Sequence, residues 1–204
     1  MSDIRTIADI VHRHDALLIV DEAHGAHFGF ISQLPESAVR LGADLVIQSL
    51  HKTLPSLTQT AILHSNRDGL NSRIGRYLAC YQSSSPSYIL LAGIDRCISL
   101  LEDEGSKLFE AFYDRLMKFY KAVSDLEKIK LLGDDIIGKA GVYKRDPSKL
   151  VVSVKNADID GHRFCKILRS KYRIEMEMAA VDYALGISTI SDTDEGFLRM
   201  SEAL

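Results

Sequence analysis

Apolar residues fall at Ile4, Ile7, Ala8 and Val11, and that spacing predicts a helix over residues 3–14 with one face against a core. A continuous run of mostly branched residues, "ALLIV" (residues 16–20), follows and stops at Asp21. Without polar interruption, such a run predicts a strand covered on both faces. "DLVIQ" (residues 44–48) predicts a second buried strand and "TAILH" (residues 60–64) a third. Between the first two, "PESAVRL" (residues 35–41) predicts a short helix opened by Pro35. Helix and strand alternating in this way imply an α/β layer with a parallel sheet. The carboxyl ends of its strands then face one crevice.

Beyond residue 68 the pattern turns helical. Leu70, Ile74, Tyr77, Leu78 and Tyr81 mark one helix, which stops at "SSSPS" (residues 83–87). Leu90, Leu91, Ile94, Ile98 and Leu101 mark a second, and Phe109, Phe112, Leu116, Phe119, Tyr120 and Val123 a third. From about residue 126 strands and helices mix: "KIKLL", "KLVVSV", a helix over Phe164, Ile167 and Leu168, "RIEME" and "YALGIST". At the end of "RIEME" and just beyond, Met176 and Met178 alternate with Glu175 and Glu177, as a strand with two core methionines should. The expected division is a larger α/β part over residues 1–104 and a smaller α+β domain over residues 105–204.

Composition narrows the function classes. Among 204 residues, 46% are hydrophobic and 26% charged, ordinary values for a globular chain. A net charge of −3 offers no electrostatic footprint for nucleic acid or an anionic membrane. No apolar run approaches the ~20 residues of a membrane-spanning helix, and the amphipathic start lacks the apolar stretch of a signal peptide. Cys80, Cys97 and Cys165 are odd in number and far apart, which argues against a disulfide framework or structural zinc. A reducing cytoplasm is the expected location.

The chemistry gathers at two strand ends. Asp21 closes the first predicted strand, and Ser49, His51 and Lys52 follow the second in "DLVIQSLHKTL". Lysine is among the residues least often buried, so an amine here either belongs to a surface loop or is used covalently. Pattern alone divides evenly between an Asp21–Lys52 salt bridge and a reactive pair. The segments "SLHKTLPSLTQTAILH" and "IVDEAHGAHFGF", followed by "SSSPSY", resemble the pyridoxal-phosphate-dependent ornithine/lysine/arginine decarboxylases. The order of the three motifs is the family's, and Pro55 stands where a small residue is commoner. The resemblance spans the chain, resting on layout rather than motif after residue 125.

That resemblance implies a fold-type-I α/β large domain, with a mostly parallel sheet and flanking helices, followed by the smaller α+β domain. It implies decarboxylation of arginine, lysine or ornithine to an amine of polyamine metabolism. Lys52 would carry pyridoxal 5'-phosphate as a Schiff base, which removes the buried charge. Asp21 would keep the ring nitrogen protonated. His24 would meet the cofactor ring or its hydroxyl. Ser49 looks like a phosphate contact, and His51 like a phosphate or substrate-side group. Ser83, Ser84 and Ser85 resemble a segment reaching the phosphate of the neighbouring subunit, which implies a homodimer or a higher homo-oligomer.

Each motif has a competitor. Ser49 could merely cap a turn, and His51 merely pack. His24 and His27 with Asp21 could suggest a metal, but such a histidine pair needs a third placed ligand and the resemblance gives Asp21 another task. "LLIVDEAH" is also the acid-pair pattern of DEAH-type helicases. Such NTPases need GxxxxGK[ST], and this sequence has none. Within the fold, an aminotransferase or an oxoamine synthase is the runner-up. The family's phosphate loop and ring-stacking residue lie before the Asp21 strand, so a fragment or a catalytically incomplete remnant is expected. By itself the 204-residue chain should not turn over substrate.

Overall fold

A computed structural model describes residues 1–204. The chain divides into two compact units, Ser2–Ser106 and Lys107–Leu204, the second joined by Met1.

The first unit begins with helix α1 (Ile4–Arg13), whose N-terminus is closed by Asp3. The Asp3 carboxylate accepts from the Thr6 backbone N–H at 3.2 Å and the Thr6 hydroxyl at 2.8 Å. Ile4, Leu18, Val20 and Val39 pack around a buried centre of Ala38, Ala43 and Val46. Strands β1 (Ile19–Asp21), β2 (Leu45–Ser49) and β3 (Ala61–Ser65) form one sheet in the order β1-β2-β3. β1 and β2 are parallel, with Asp21 opposite Ile47, so both strands end on the same edge.

Three local expectations fail for physical reasons. Residues 35–41 form turns instead of a helix, bonded from Arg40 N–H to Ser37 O and from Ala43 N–H to Ala38 O. The Glu22 side chain takes the Ala38 N–H and the Ser37 hydroxyl, fixing that backbone from outside. Second, β3 runs antiparallel to β2, pairing Ile47 with Leu63 and Ser49 with Ala61. A parallel return needs a crossover of roughly a dozen residues or more, commonly a helix. Here the link holds only the one-turn helix α2 (Leu50–Thr53), which stops at an extended Leu54. Pro55 follows, and a residue before proline is pushed out of the helical region.

Third, the strands are covered on one face only. Val46 is fully buried and Gln48 is buried, whereas Ile19 is 58% exposed, Ile47 40% and Leu63 38%. These three share the opposite face by register and alternation.

Helix α3 (Asn71–Tyr81) follows, and then α4 (Tyr88–Ala122). The two helices expected at residues 90–101 and 109–123 are one continuous 35-residue helix. No proline interrupts the stretch, and in the gap between the two patterns the single glycine, Gly105, costs only about 1 kcal/mol against alanine.

In the second unit, β4 (Lys130–Leu131), β5 (Lys149–Ser153), β6 (Met178–Ala179) and β7 (Tyr183–Ile187) form an antiparallel sheet in the order β4-β5-β7-β6. Leu150, Val152 and Ala184 are buried from this sheet. Phe164 of α5 (Gly161–Ile167) and Phe197 and Met200 of α6 (Asp194–Ala203) are buried with them, as are Phe109, Phe112, Leu116 and Phe119. The Phe119 and Phe197 rings lie 5.6 Å apart. α5 is capped by the Asp160 carboxylate and α6 by the Thr193 hydroxyl.

No strand forms over "RIEME" (residues 173–177): Arg173 adopts a left-handed conformation at φ 55° after one π-helical turn, and β6 begins only beyond it, at Met178. The Arg169 guanidinium then holds Glu175, with Nε donating at 2.6 Å. Met176 is buried but Met178 is 46% exposed, so only one of the two methionines is core. No helix is long and apolar enough to cross a membrane.

Candidate functional site

Parallel pairing places the ends of β1 and β2 side by side. The turn after β1 brings His24 back towards the residues that follow β2. Gly25 N–H donates to Glu22 O at 2.8 Å, closing that turn. Gly25 has to be glycine: a Cβ would lie 2.5 Å from the Phe28 ring and 2.6 Å from Glu22 Cγ.

Lys52 sits in α2, and its Nζ lies 3.2 Å from His24 Nε2. An ammonium can only donate, so in this contact Nε2 is the acceptor. Lys52 is half-buried, neither free in solvent nor sealed in the core. Asp21 is exposed, and its Oδ1 accepts from the Ala23 N–H at 3.0 Å. Ser49 precedes α2 yet makes no side-chain cap bond, so the capping role is not the one it fills. By alternation, Asp21 and Ser49 lie on the uncovered sheet face.

His51 turns elsewhere: its Nδ1 bonds the Thr60 carbonyl at 3.0 Å, leaving Nε2 as the other polar atom of the ring. His27 is buried with its ring 4.7 Å from that of Phe28. Ser83, Ser84 and Ser85 are exposed in the link between α3 and α4. The Ser83 hydroxyl bonds Ser85 O and accepts from Ser85 N–H, both at 3.2 Å. Lys52 and His24 are thus in contact, Asp21 and Ser49 share their sheet edge, and the serine segment bonds within itself.

Two polar clusters escaped the sequence reading. Buried Glu22 accepts from Gln48 Nε2 at 2.6 Å, the Ser37 hydroxyl at 2.7 Å and the Ala38 N–H at 2.8 Å. Gln48 Oε1 in turn meets His64 Nε2 at 3.0 Å. Burial lowers the His64 pKa, against the pull of Glu22. The second cluster centres on Asp44, which is buried and accepts from Leu18 N–H at 2.7 Å and His12 Nε2 at 2.9 Å, and also from Arg67. Burial pushes its carboxyl up, but the Arg67, Leu18 and His12 bonds outweigh it and hold the pKa at about 2. The one available signal was an acid beside or within an apolar run, where an unpaired charge would be costly.

The donor set suits a phosphorylated pyridine aldehyde: an amine for the aldehyde, a carboxylate for a ring N–H, and an uncommitted hydroxyl for phosphate. Comparison with known proteins supplies the lineage. The sequence profile of the "Orn/Lys/Arg decarboxylase, major domain" matches residues 1–168. An arginine decarboxylase of Bacillus subtilis is 37% identical over 205 residues, covering 100% of this chain and 42% of that protein. The constitutive lysine decarboxylase of E. coli superposes with a TM-score of 0.79 at 13% identity, over 100% of this chain and 34% of that one. A lysine decarboxylase of Francisella novicida gives 0.75 at 17% identity, over 97% and 33%. At such identities the superpositions speak for the fold, that of fold-type-I enzymes. The chain spans about two fifths of the length of the curated relatives it matches. With most of its length under the family profile, the chain belongs to the Orn/Lys/Arg decarboxylase family.

Proposed function

We propose that this chain carries the lysine-bearing part of a pyridoxal-phosphate-dependent active site that decarboxylates a basic amino acid. The observation that carries the proposal is the Lys52–His24 contact at the shared end of the parallel strands that also present Asp21 and Ser49. Arginine is the first candidate among arginine, lysine and ornithine, because the curated relatives that cover most of this chain are named arginine decarboxylases.

When bound, pyridoxal phosphate supplies an electron sink for the pair left behind as CO2 departs. Lys52 has to lose a proton before its amine can act as a nucleophile, and His24 Nε2 at 3.2 Å is placed to accept it. Asp21 offers a negative charge that favours a protonated ring nitrogen. The Ser49 hydroxyl is a donor for phosphate. With Nδ1 held by Thr60, His51 has Nε2 for the phosphate or the substrate side. Ser83, Ser84 and Ser85 serve the site of a neighbouring subunit in a cytoplasmic homodimer or larger homo-oligomer, and the product amine feeds polyamine synthesis. Catalysis belongs to the whole protein, and residues 1–204 alone do not turn over substrate.

A DEAH-type NTPase would need the second acid of "DEAH" open to a metal and water. The Glu22 carboxylate is instead buried with three protein donors, which counts against that alternative. The test is borohydride reduction of the 204-residue chain with pyridoxal phosphate, followed by peptide mapping. The pyridoxyl group is expected on Lys52, within the segment spanning residues 44–67. A label confined to another lysine would overturn the assignment.

A further inference from the structure

Glu22 is flanked by Asp21 and lies two residues before His24, while Gln48 directly precedes Ser49 and lies four residues before Lys52. The two side chains bond across neighbouring strands at 2.6 Å. We propose that Glu22 is a positioning residue of the Lys52 site: its buried carboxylate ties the strand end bearing Asp21 and His24 to the one bearing Ser49 and Lys52. This rests on the reading of Lys52 as the cofactor-bearing lysine.

The connection is more than packing. A carboxylate only accepts, so Gln48 must turn its NH2 to Glu22 and its oxygen to His64, whose Nε2 then donates. One acid therefore dictates an amide orientation and a histidine tautomer in sequence. Glu22 also acts through its backbone. Its N–H continues the β1–β2 ladder to Ile47 O at 2.9 Å, and its carbonyl closes the turn that presents His24. Ser37 and Ala38 brace the carboxylate from the far side.

An apolar pair could fill the same space, since burying a carboxylate gains nothing by itself. A directional bond between β1 and β2 does what an apolar pair would not: it admits one register. A one-residue slip would turn Glu22 to the uncovered face and break every bond it makes. The residues that need register are those on either side of it, Asp21 and His24 on one strand and Ser49 and Lys52 beyond the other.

The experiment uses the 204-residue chain and three variants: Glu22→Gln, Gln48→Glu, and the double exchange. In Glu22→Gln an amide oxygen kept towards the Ala38 N–H turns an NH2 towards Gln48, so Gln48 must flip and His64 must change tautomer. In Gln48→Glu two buried carboxylates meet. In the double exchange the amide introduced on β1's side accepts from Ala38 N–H through its oxygen and donates through its NH2 to the carboxylate introduced on β2 and to the Ser37 hydroxyl, which rotates to accept, and His64 keeps its proton on Nε2. The first readout is the rate of borohydride-trapped pyridoxal phosphate on Lys52 relative to other lysines. The second is the ¹⁵N signals of His24 and His64.

Glu22→Gln is expected to cut Lys52 trapping about tenfold, less than the roughly hundredfold that a misplacement of about 1 Å can cost. Gln48→Glu should do at least as much harm. The double exchange should return to within about twofold of wild type while keeping the His64 tautomer. Wild-type trapping in Glu22→Gln, or a double variant no better than that single one, would overturn the proposal. If the unaltered chain does not trap at Lys52, the cofactor reading fails and the histidine signals decide. Loss of the Lys52-to-His24 bond in Glu22→Gln and its return in the double exchange support positioning by Glu22; an unchanged His24 signal in Glu22→Gln overturns it.

Discussion

The sheet of residues 2–106 and the sheet of residues 107–204 handle their apolar strands differently. In the first, β2 buries Val46 and Gln48 on one face and leaves Ile47 beside Ile19 and Leu63 on an uncovered one. In the second, Leu150, Val152 and Ala184 lie in an interior shared with Phe112, Phe164 and Phe197. The first sheet carries its polar chemistry at and under its edge, with Asp44 and Glu22 as buried acids. Most of the second interior is apolar. Uninterrupted apolar runs therefore report the capacity of a strand to be covered, and the covering itself is a separate matter of what packs there.

The largest effect that would sharpen this contrast is expected in the aromatic interior. Phe112→Ala should cost about 3–5 kcal/mol of stability, whereas Ile47→Ala should change it by less than about 1 kcal/mol. Thermal and urea melts followed by circular dichroism measure both. Equal losses would mean that the Ile47 face is covered in solution.

Next in size is Asp44→Asn, expected to cost about 1.5–3 kcal/mol through its charge-assisted bonds. Its pKa is lowered to about 2, so the stabilisation is fully present above the ordinary carboxylate range and fades as pH falls towards 2. Stability measured between pH 5 and pH 2, a window of roughly that span, should fall less steeply in the variant than in wild type. Identical slopes would remove Asp44 as the acid-sensitive centre of the first unit.

The smallest effect treats the two units alike. Asp3→Ala at α1 and Thr193→Ala at α6 each remove a side-chain cap and should each cost about 1 kcal/mol. A loss well above that at Asp3 alone would show that the first unit depends on its caps more than the second.

How much was legible follows from the range of each interaction. α1, β2, β5 and β7 could be read because their apolar periods are local. The two helices read over residues 90–123 are one, since a pattern shows which face is buried but not whether the backbone pauses between two stretches. The direction of β3 depended on counting the short link and on Pro55 ending α2. α6 was missed although Thr193 and the acids after it form an ordinary helix start. At the site, Asp21, Ser49 and Lys52 were visible as polar residues at the ends of apolar strands, whereas His24 was singled out by the resemblance to the family. Glu22 was visible only as half of a motif, and Gln48 and His64 only as polar residues in strands.

The sequence by itself determined the family, the fold class and the candidate residues at the two strand ends, because each is written in a short run of neighbours. Only the tertiary structure decided which of them meet. The Lys52–His24 contact, the bridge from Glu22 through Gln48 to His64 and the Asp44 hub join residues far apart in the chain. Whether a buried acid is tolerable depends on the donors that folding delivers to it, and no local pattern records their arrival.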